Sequence, residues 1–394
     1  MDYIFSDRIS ALKPSAIREI LKATSQSDVI PFAAGNPAPE AFPIDDVKKI
    51  TADILQKDPI TALQYGISEG YTPLRKTVAE YLKNRYGIGS ENDDIIITSG
   101  AQQVIDLASK VLVNEGDVVI SESPSFIGAL NTFRSYNGRL AGVDVDSDGM
   151  NMEKLENVLK KEKNAKLIYT IPNFQNPAGV TMSWEKRKQL YALAKKYGVL
   201  ILEDNPYGEL RCKGEDIPCI KSIDTDGIVI YSGSFSKILS PGLRVAFTVA
   251  PKEIIAKMTV GKQASDVHTP MLNQMIVNEW MTHYDMTGHI EKIRRIYRKK
   301  LDLMCGLIDS ELGDFVTYVK PEGGLFIWCK LPDSVDMLKF CSVAAENKVA
   351  VVPGVAFMMY PEDKTQCIRL NFSTPTDEGI VKGMKILGEV KKQF

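Results

Sequence analysis

An α/β fold is predicted, with a large lobe built on a mostly parallel seven-stranded sheet flanked by helices and a smaller α+β lobe beside it; three observations carry this. Seven apolar runs, at 95–98, 118–121, 139–143, 166–170, 199–202, 228–232 and 244–249, mostly alternate with stretches of helical periodicity, as crossover-connected parallel strands require. Polar clusters directly follow several of these runs, where an open parallel sheet presents its ligand crevice. Beyond residue 267 the order changes to a long helical stretch and then to short strands mixed with helices.

The chain has 394 residues, enough for two or more lobes with a large buried core. The expected organisation is an amino-terminal arm or lid at 1–45 packing with the small lobe, a large lobe at 46–282 and a small lobe at 283–394. There are no internal repeats or low-complexity linkers.

Taken in order, the first informative element is DDIIITSGAQQVIDLASKVL (93–112), a strand, a Ser-Gly turn and a helix with apolar residues at Val104, Ile105, Ala108, Val111 and Leu112. A helix start presents unpaired N–H groups and partial positive charge, so Gly100, Ala101 and Gln102 suit a phosphate. Next, SESPSFIGALNTF (121–133) sets Phe126 just past a strand, where its ring can stack on a flat heterocycle or pack in the core. IPNFQNPAGV (171–180) brings Asn173 and Asn176 to another strand end, and VLILEDNPYGEL (199–210) brings Asp204 and Tyr207 to the next. Finally, SGSFSKILSPGLR (232–244) carries Ser234, Ser236, Lys237 and Arg244 after a β-branched run.

Each signal has an ordinary reading as a turn, cap or core side chain; together they suit pyridoxal phosphate (PLP). A lysine that reacts with the cofactor's aldehyde must be uncharged part of the time, and a nearby cation or desolvation lowers its pKa. Arg244 supplies such a charge while its planar fork pairs with phosphate oxygens. Asp204 suits the pyridinium nitrogen, which keeps the ring an electron acceptor. Asn176 and Tyr207 suit the phenolic oxygen.

On these residues the chain resembles the PLP-dependent aminotransferases of the aspartate aminotransferase fold (fold type I), and within them the bacterial 2-aminoadipate, kynurenine and aromatic amino-acid aminotransferases. Asn176, Asp204, Lys237, Arg244 and Arg369 follow the family order at separations of 28, 33, 7 and 125 residues, and the resemblance runs from about Ser15 to the C-terminus. It implies Lys237 as the Schiff-base lysine, Asp204 at the ring nitrogen, Asn176 and Tyr207 at the phenolic oxygen, and Ala101, Gln102, Ser234, Ser236 and Arg244 at the phosphate. Arg369, in QCIRLNFSTP (366–375), is implied to grip the substrate α-carboxylate with Asn176. Phe126 departs from the tyrosine more frequent at the stacking position, which preserves stacking and loses a phenol hydrogen bond. Tyr65 matches a tyrosine lent across a dimer interface to the partner's phosphate, so a homodimer with shared sites is implied. The amino-terminal stretch 14–43 resembles a mobile lid, with Gly35 against the substrate carboxylate and Arg18 facing a distal acid or swinging away for an aromatic ring.

Composition fits a soluble, cytoplasmic enzyme. Apolar residues make up 44% and charged residues 25%, and 48 basic against 50 acidic side chains give a net charge of −2, so neither nucleic acid nor an anionic membrane is an expected partner. No signal peptide or membrane-length apolar run is present. Six cysteines without a C-x-x-C pair and three histidines without ligand spacing point to reduced thiols and no metal. The expected reaction is a ping-pong transfer from 2-aminoadipate, glutamate or an aromatic amino acid to 2-oxoglutarate. Two other readings share the motifs: a PLP-dependent β-lyase, and a PLP-binding sensor module of the kind joined to a helix-turn-helix region, for which a resemblance beginning near residue 15 leaves no room.

Overall fold

The computed structural model describes residues 3–10, 12, 29–360 and 362–394. Its large sheet contains eight strands in the order β1-β8-β7-β6-β5-β2-β3-β4. These are β1 (Asp93–Thr98), β2 (Val118–Ser123), β3 (Arg139–Asp146), β4 (Gly149–Met150), β5 (Ala165–Thr170), β6 (Leu200–Asn205), β7 (Val229–Ser234) and β8 (Ala246–Pro251). The pairs β2–β3, β2–β5, β5–β6 and β6–β7 are parallel, whereas β8 runs antiparallel to both β1 and β7. Because β1 and β7 are both antiparallel to β8, β1 points the same way as β2, β5, β6 and β7. With β3, parallel to β2, six carboxyl ends therefore open on one edge.

The expected count of seven is corrected to eight by a two-residue strand. After β3 the chain reverses at Gly149, whose φ of +112° is in the region that favours glycine, and Asp146 pairs with Gly149. Two residues are too short to show periodicity. Arg244, expected at the start of the last strand, instead follows the turn Pro241–Leu243 with φ +53°, and β8 begins at Ala246.

The long helical stretch expected at 267–313 is two helices, Met271–His283 and Met286–Leu307, followed by a wider turn at Ile308–Leu312. The break is built by Asp285, whose Oδ1 accepts from the Gly288 N–H at 2.8 Å and so caps the second helix. A four-stranded antiparallel sheet follows, ordered β11-β12-β10-β9, from β9 (Thr317–Tyr318), β10 (Phe326–Lys330), β11 (Val352–Pro353) and β12 (Cys367–Asn371). The segment entering at Val29 packs here: Ile30 bridges Val349, and Phe32 O accepts from Asn371 N at 2.8 Å.

The main core runs without interruption from Ile96 and Leu107 in the large sheet layer through Trp280 and Tyr297 to Ile327 and Leu370 in the small one. The two sheets approach closely at Gly179. Its φ is +69°, and a Cβ there would lie 2.8 Å from the Phe326 carbonyl oxygen. This contact brings the loop after β5 against β10, the neighbour of the strand that carries Arg369. No described helix is long and apolar enough to cross a membrane.

Candidate active site

A cavity of about 400 Å³ lies at the carboxyl edge of the large sheet, between it and the small one. It is lined by twelve of the sixteen residues singled out from sequence: Lys237, Asp204, Tyr207, Asn176, Ala101, Gln102, Phe126, Ser234, Ser236, Arg244, Arg369 and Gly35. Gly100 sits at its edge, where an added Cβ would meet Arg244 Nη2 at 1.9 Å. Tyr65 is 81% exposed, packs edge-on against His268 and does not line the cavity of its own chain. Arg18 lies outside the described residues.

Lys237 follows β7 and points across the cavity, its amine donating to Gly35 O at 2.8 Å. Burial, then the charges of Arg369 and Arg244, push its pKa down to about 8. An amine so tuned is neutral in a useful fraction near neutral pH, as a nucleophile requires.

Asp204, near the end of β6, is 3% exposed. Its Oδ2 accepts from the Tyr169 hydroxyl at 2.9 Å, while Oδ1 has no hydrogen-bond partner among the described residues. Burial raises its pKa to about 6 against the opposing pull of the Tyr169 and Ser232 hydroxyls. A carboxylate oxygen left unpaired in a buried site is costly unless a donor meets it. The cavity-facing position of Asp204 thus fits a ligand with an N–H, as a protonated pyridine has.

Arg369, 3% exposed on β12, donates from Nη1 to Asn176 Oδ1 at 3.0 Å and from Nη2 to Ala33 O at 2.9 Å. Its guanidinium lies 4.2 Å from the centre of the Phe326 ring and 4.8 Å from that of Phe357, and burial lowers its pKa to about 10. No carboxylate pairs with it among its hydrogen bonds, and Nε is unpaired, so the site holds a cation suited to a small carboxylate. Asn176 joins this cation to the next group by donating from Nδ2 to the Tyr207 hydroxyl at 3.5 Å.

At the opposite end, the helix Ala101–Leu112 starts beside Arg244, whose Nη2 donates to Ser99 O at 3.2 Å. Ser236 N donates to Ser234 Oγ at 3.1 Å, folding the start of the lysine loop toward the same end. A helix start, two serines and an arginine present donors of the kind a phosphate needs.

Tyr169 and Phe326 were not singled out from sequence. Tyr169 looks like an ordinary core residue in an apolar strand, and only the pairing of β5 with β6 brings its hydroxyl to Asp204. Phe326 follows two glycines in GGLFIW, which signals a turn and not a cavity wall. Arg187 is a further scaffold: fully buried, it donates to Pro172 O at 3.1 Å and Asn173 Oδ1 at 2.7 Å and so shapes the Asn176 loop from behind. Asn173 is consumed in that support and does not line the cavity.

Known proteins share this architecture. The family model "Aminotransferase class I and II" matches residues 27–387. The chain is 42% identical to aromatic-amino-acid aminotransferase 1 of Thermococcus litoralis, over 100% of this chain and 95% of that protein. It is 39% identical to the 2-aminoadipate transaminase of Thermus thermophilus, over 98% and 96% of the two chains. A solved structure of kynurenine aminotransferase from Pyrococcus horikoshii, in complex with PMP, matches with a TM-score of 0.95 at 41% identity, covering 99% of this chain and 97% of that one. With the cavity, its buried lysine and these relatives in agreement, the chain belongs to the class I and II aminotransferases and is a PLP-dependent transaminase.

Proposed function

We propose that the cavity holds PLP between Lys237, Asp204 and the Arg244 cradle, and that the enzyme transfers the amino group of 2-aminoadipate, glutamate or an aromatic amino acid to 2-oxoglutarate in a ping-pong cycle. The observation that carries this is the convergence on one cavity of the Lys237 amine and the unpaired Asp204 Oδ1, set there by adjacent parallel strands. Bound PLP supplies an aldehyde for amine exchange and a ring that accepts the electron pair left at the substrate Cα.

This chain's own residues do the rest. Ala101, Gln102, Ser234, Ser236 and Arg244 take the phosphate, with Gly100 allowing Arg244 its close approach. Asn176 and Tyr207 meet the phenolic oxygen, and Phe126 covers one ring face. Arg369 and Asn176 hold the substrate α-carboxylate beside Gly35, which fixes the Cα–H bond relative to Lys237. Lys237 Nζ, with its depressed pKa, takes the proton from Cα. The donor range rests on the names of the relatives and on the apolar walls Phe126, Ile127, Ile171 and Phe326, which suit an aromatic or aliphatic side chain.

A homodimer with shared sites belongs to the same proposal. Tyr65 stands in an exposed apolar surface with Ile60, Leu63, Ile67 and Val267, which suits a second copy of the chain. The partner's phosphate is the destination proposed for Tyr65.

Absorbance spectra of the purified holoenzyme, titrated with glutamate, 2-aminoadipate, phenylalanine and kynurenine in turn and then with 2-oxoglutarate, test the function. Reversible conversion to the aminated cofactor is expected, and its absence in Lys237→Ala. Release of pyruvate from cysteine-type substrates without need of an oxoacid would replace transamination with β-elimination.

A further inference from the structure

Lys262, near the end of the helix Lys252–Gln263, is a lysine whose side chain has no exposed surface. Burying an ammonium costs several kcal/mol unless its donors are matched. Here they are matched: Nζ donates to Gln103 Oε1 at 2.6 Å, Asp266 Oδ1 at 2.9 Å and Oδ2 at 3.1 Å, and Thr269 Oγ1 at 3.1 Å. The helix packs on Ala101–Leu112, with a Cβ on Gly261 falling 3.2 Å from Leu107, so an apolar side chain would suit the position for packing alone.

The partners of Lys262 converge on one residue. Asp266 Oδ2 accepts from Ser99 Oγ at 2.6 Å, and Gln103 Oε1 accepts from Ser99 N at 2.8 Å. Thr269 Oγ1 lies 3.1 Å from the same Ser99 hydroxyl. Ser99 O in turn accepts from Arg244 Nη2. Two donors, Lys262 Nζ and Ser99 N, therefore meet at the Gln103 amide oxygen, which fixes which way that amide faces. The cluster holds the Ser99 N–H and hydroxyl, and Arg244 holds the Ser99 carbonyl that leads into Gly100 and the helix start.

We infer that Lys262 is a positioning residue for the phosphate end of the site, acting through Gln103, Asp266 and Ser99 to aim the Arg244 guanidinium and the N–H groups at the start of the helix Ala101–Leu112. This rests on the assignment of that end to the cofactor phosphate. Without the ammonium, Gln103 Oε1 loses one of the two donors that fix its orientation, and the Asp266 carboxylate loses its counter-charge. The acceptors that orient Ser99 are then themselves no longer fixed. Lys237 and Asp204 lie outside the cluster and keep their hydrogen bonds. The effect is therefore specific to a phosphate ester, in contrast to a general loss of the cofactor pocket.

The test compares affinities of the full-length apoprotein for PLP and for pyridoxal, which has the same ring and aldehyde without the phosphate. In Lys262→Met, PLP affinity is expected to fall about tenfold or more, the scale of one charge-assisted hydrogen bond. Pyridoxal affinity is expected to stay within about twofold, so the preference for PLP shrinks. Ser99→Ala should reduce the same preference, and the double variant should lose no more than the larger single effect, as members of one network do. Equal losses for both ligands would make Lys262 a merely structural residue and overturn the inference, as would an unchanged preference. If Lys262→Met does not fold, Asp266→Asn, at the partly exposed edge of the cluster, carries the same comparison and the same overturning result. A wild-type protein that binds neither ligand would overturn the cofactor assignment as well, whereas an unchanged preference in the variants removes only the role of Lys262.

Discussion

At the residue scale, the site depends on charges placed where water is excluded. Asp204 has one oxygen held by Tyr169 and the other without a hydrogen-bond partner among the described residues, so the value proposed for it lies in a buried charge-assisted contact. Asp204→Ala is expected to weaken PLP binding about 10- to 100-fold, the range for a hydrogen bond to a charged group. Proton removal from the substrate Cα should slow as well, because the ring loses its partner for a protonated nitrogen. Titration of the apoprotein with PLP and solvent deuterium exchange at Cα measure the two effects; wild-type values in both would remove Asp204 from the electron-accepting role. Asp204 was legible in sequence because it stands at the end of an apolar run. Tyr169 was not, because a hydroxyl in the middle of a strand declares its partner only when the neighbouring strand is known.

At the scale of elements, the phosphate end is a strand, a turn and a helix whose geometry hinges on Gly100. Its φ of +87° and its contact with Arg244 make two separate demands on the same residue. Gly116 offers a control, since its φ is +81° but a Cβ there meets nothing within 4 Å. Both Gly→Ala changes should lower stability by about 1 kcal/mol through backbone strain. Only Gly100→Ala should also displace Arg244, with an expected loss in PLP affinity of about tenfold or more. Thermal melts and PLP titrations of the two variants separate strain from steric conflict, and equal PLP affinities would show that Arg244 adapts without consequence. The turn itself was readable from the Ser-Gly pair before a helical pattern. The left-handed conformation of Arg244 was not, because LRVAF reads as continuous strand until the turn Pro241–Leu243 is seen to end just before it.

For the whole molecule, the proposal that two chains complete one site turns on Tyr65. Tyr65 is exposed among apolar neighbours and does not line its own chain's cavity, as a residue given to a partner would be. The expectation is complementation between Lys237→Ala and Tyr65→Ala subunits, each impaired alone. A mixed dimer has one site with an intact lysine from one chain and an intact tyrosine from the other. Random reassortment should restore about a quarter of wild-type activity per chain, since about half the dimers are mixed and each has one intact site. Activity no greater than the sum of the separate variants would show that Tyr65 serves no partner site.

What the sequence by itself determined was the chemistry on offer: a lysine, an aspartate, an asparagine, a tyrosine and an arginine, each at or just past the end of an apolar run, in an order that resembles one enzyme family. These signals are local, since strand ends, Gly turns and helix starts are written in adjacent residues. Tertiary structure decided what long-range contact controls. It added the eighth strand, broke the long helical stretch at Asp285, brought Arg369 on β12 to Asn176 after β5, and set Tyr169 beneath Asp204. It also gathered Lys262, Asp266 and Gln103 around Ser99, residues whose purpose is invisible until two helices distant in sequence pack together.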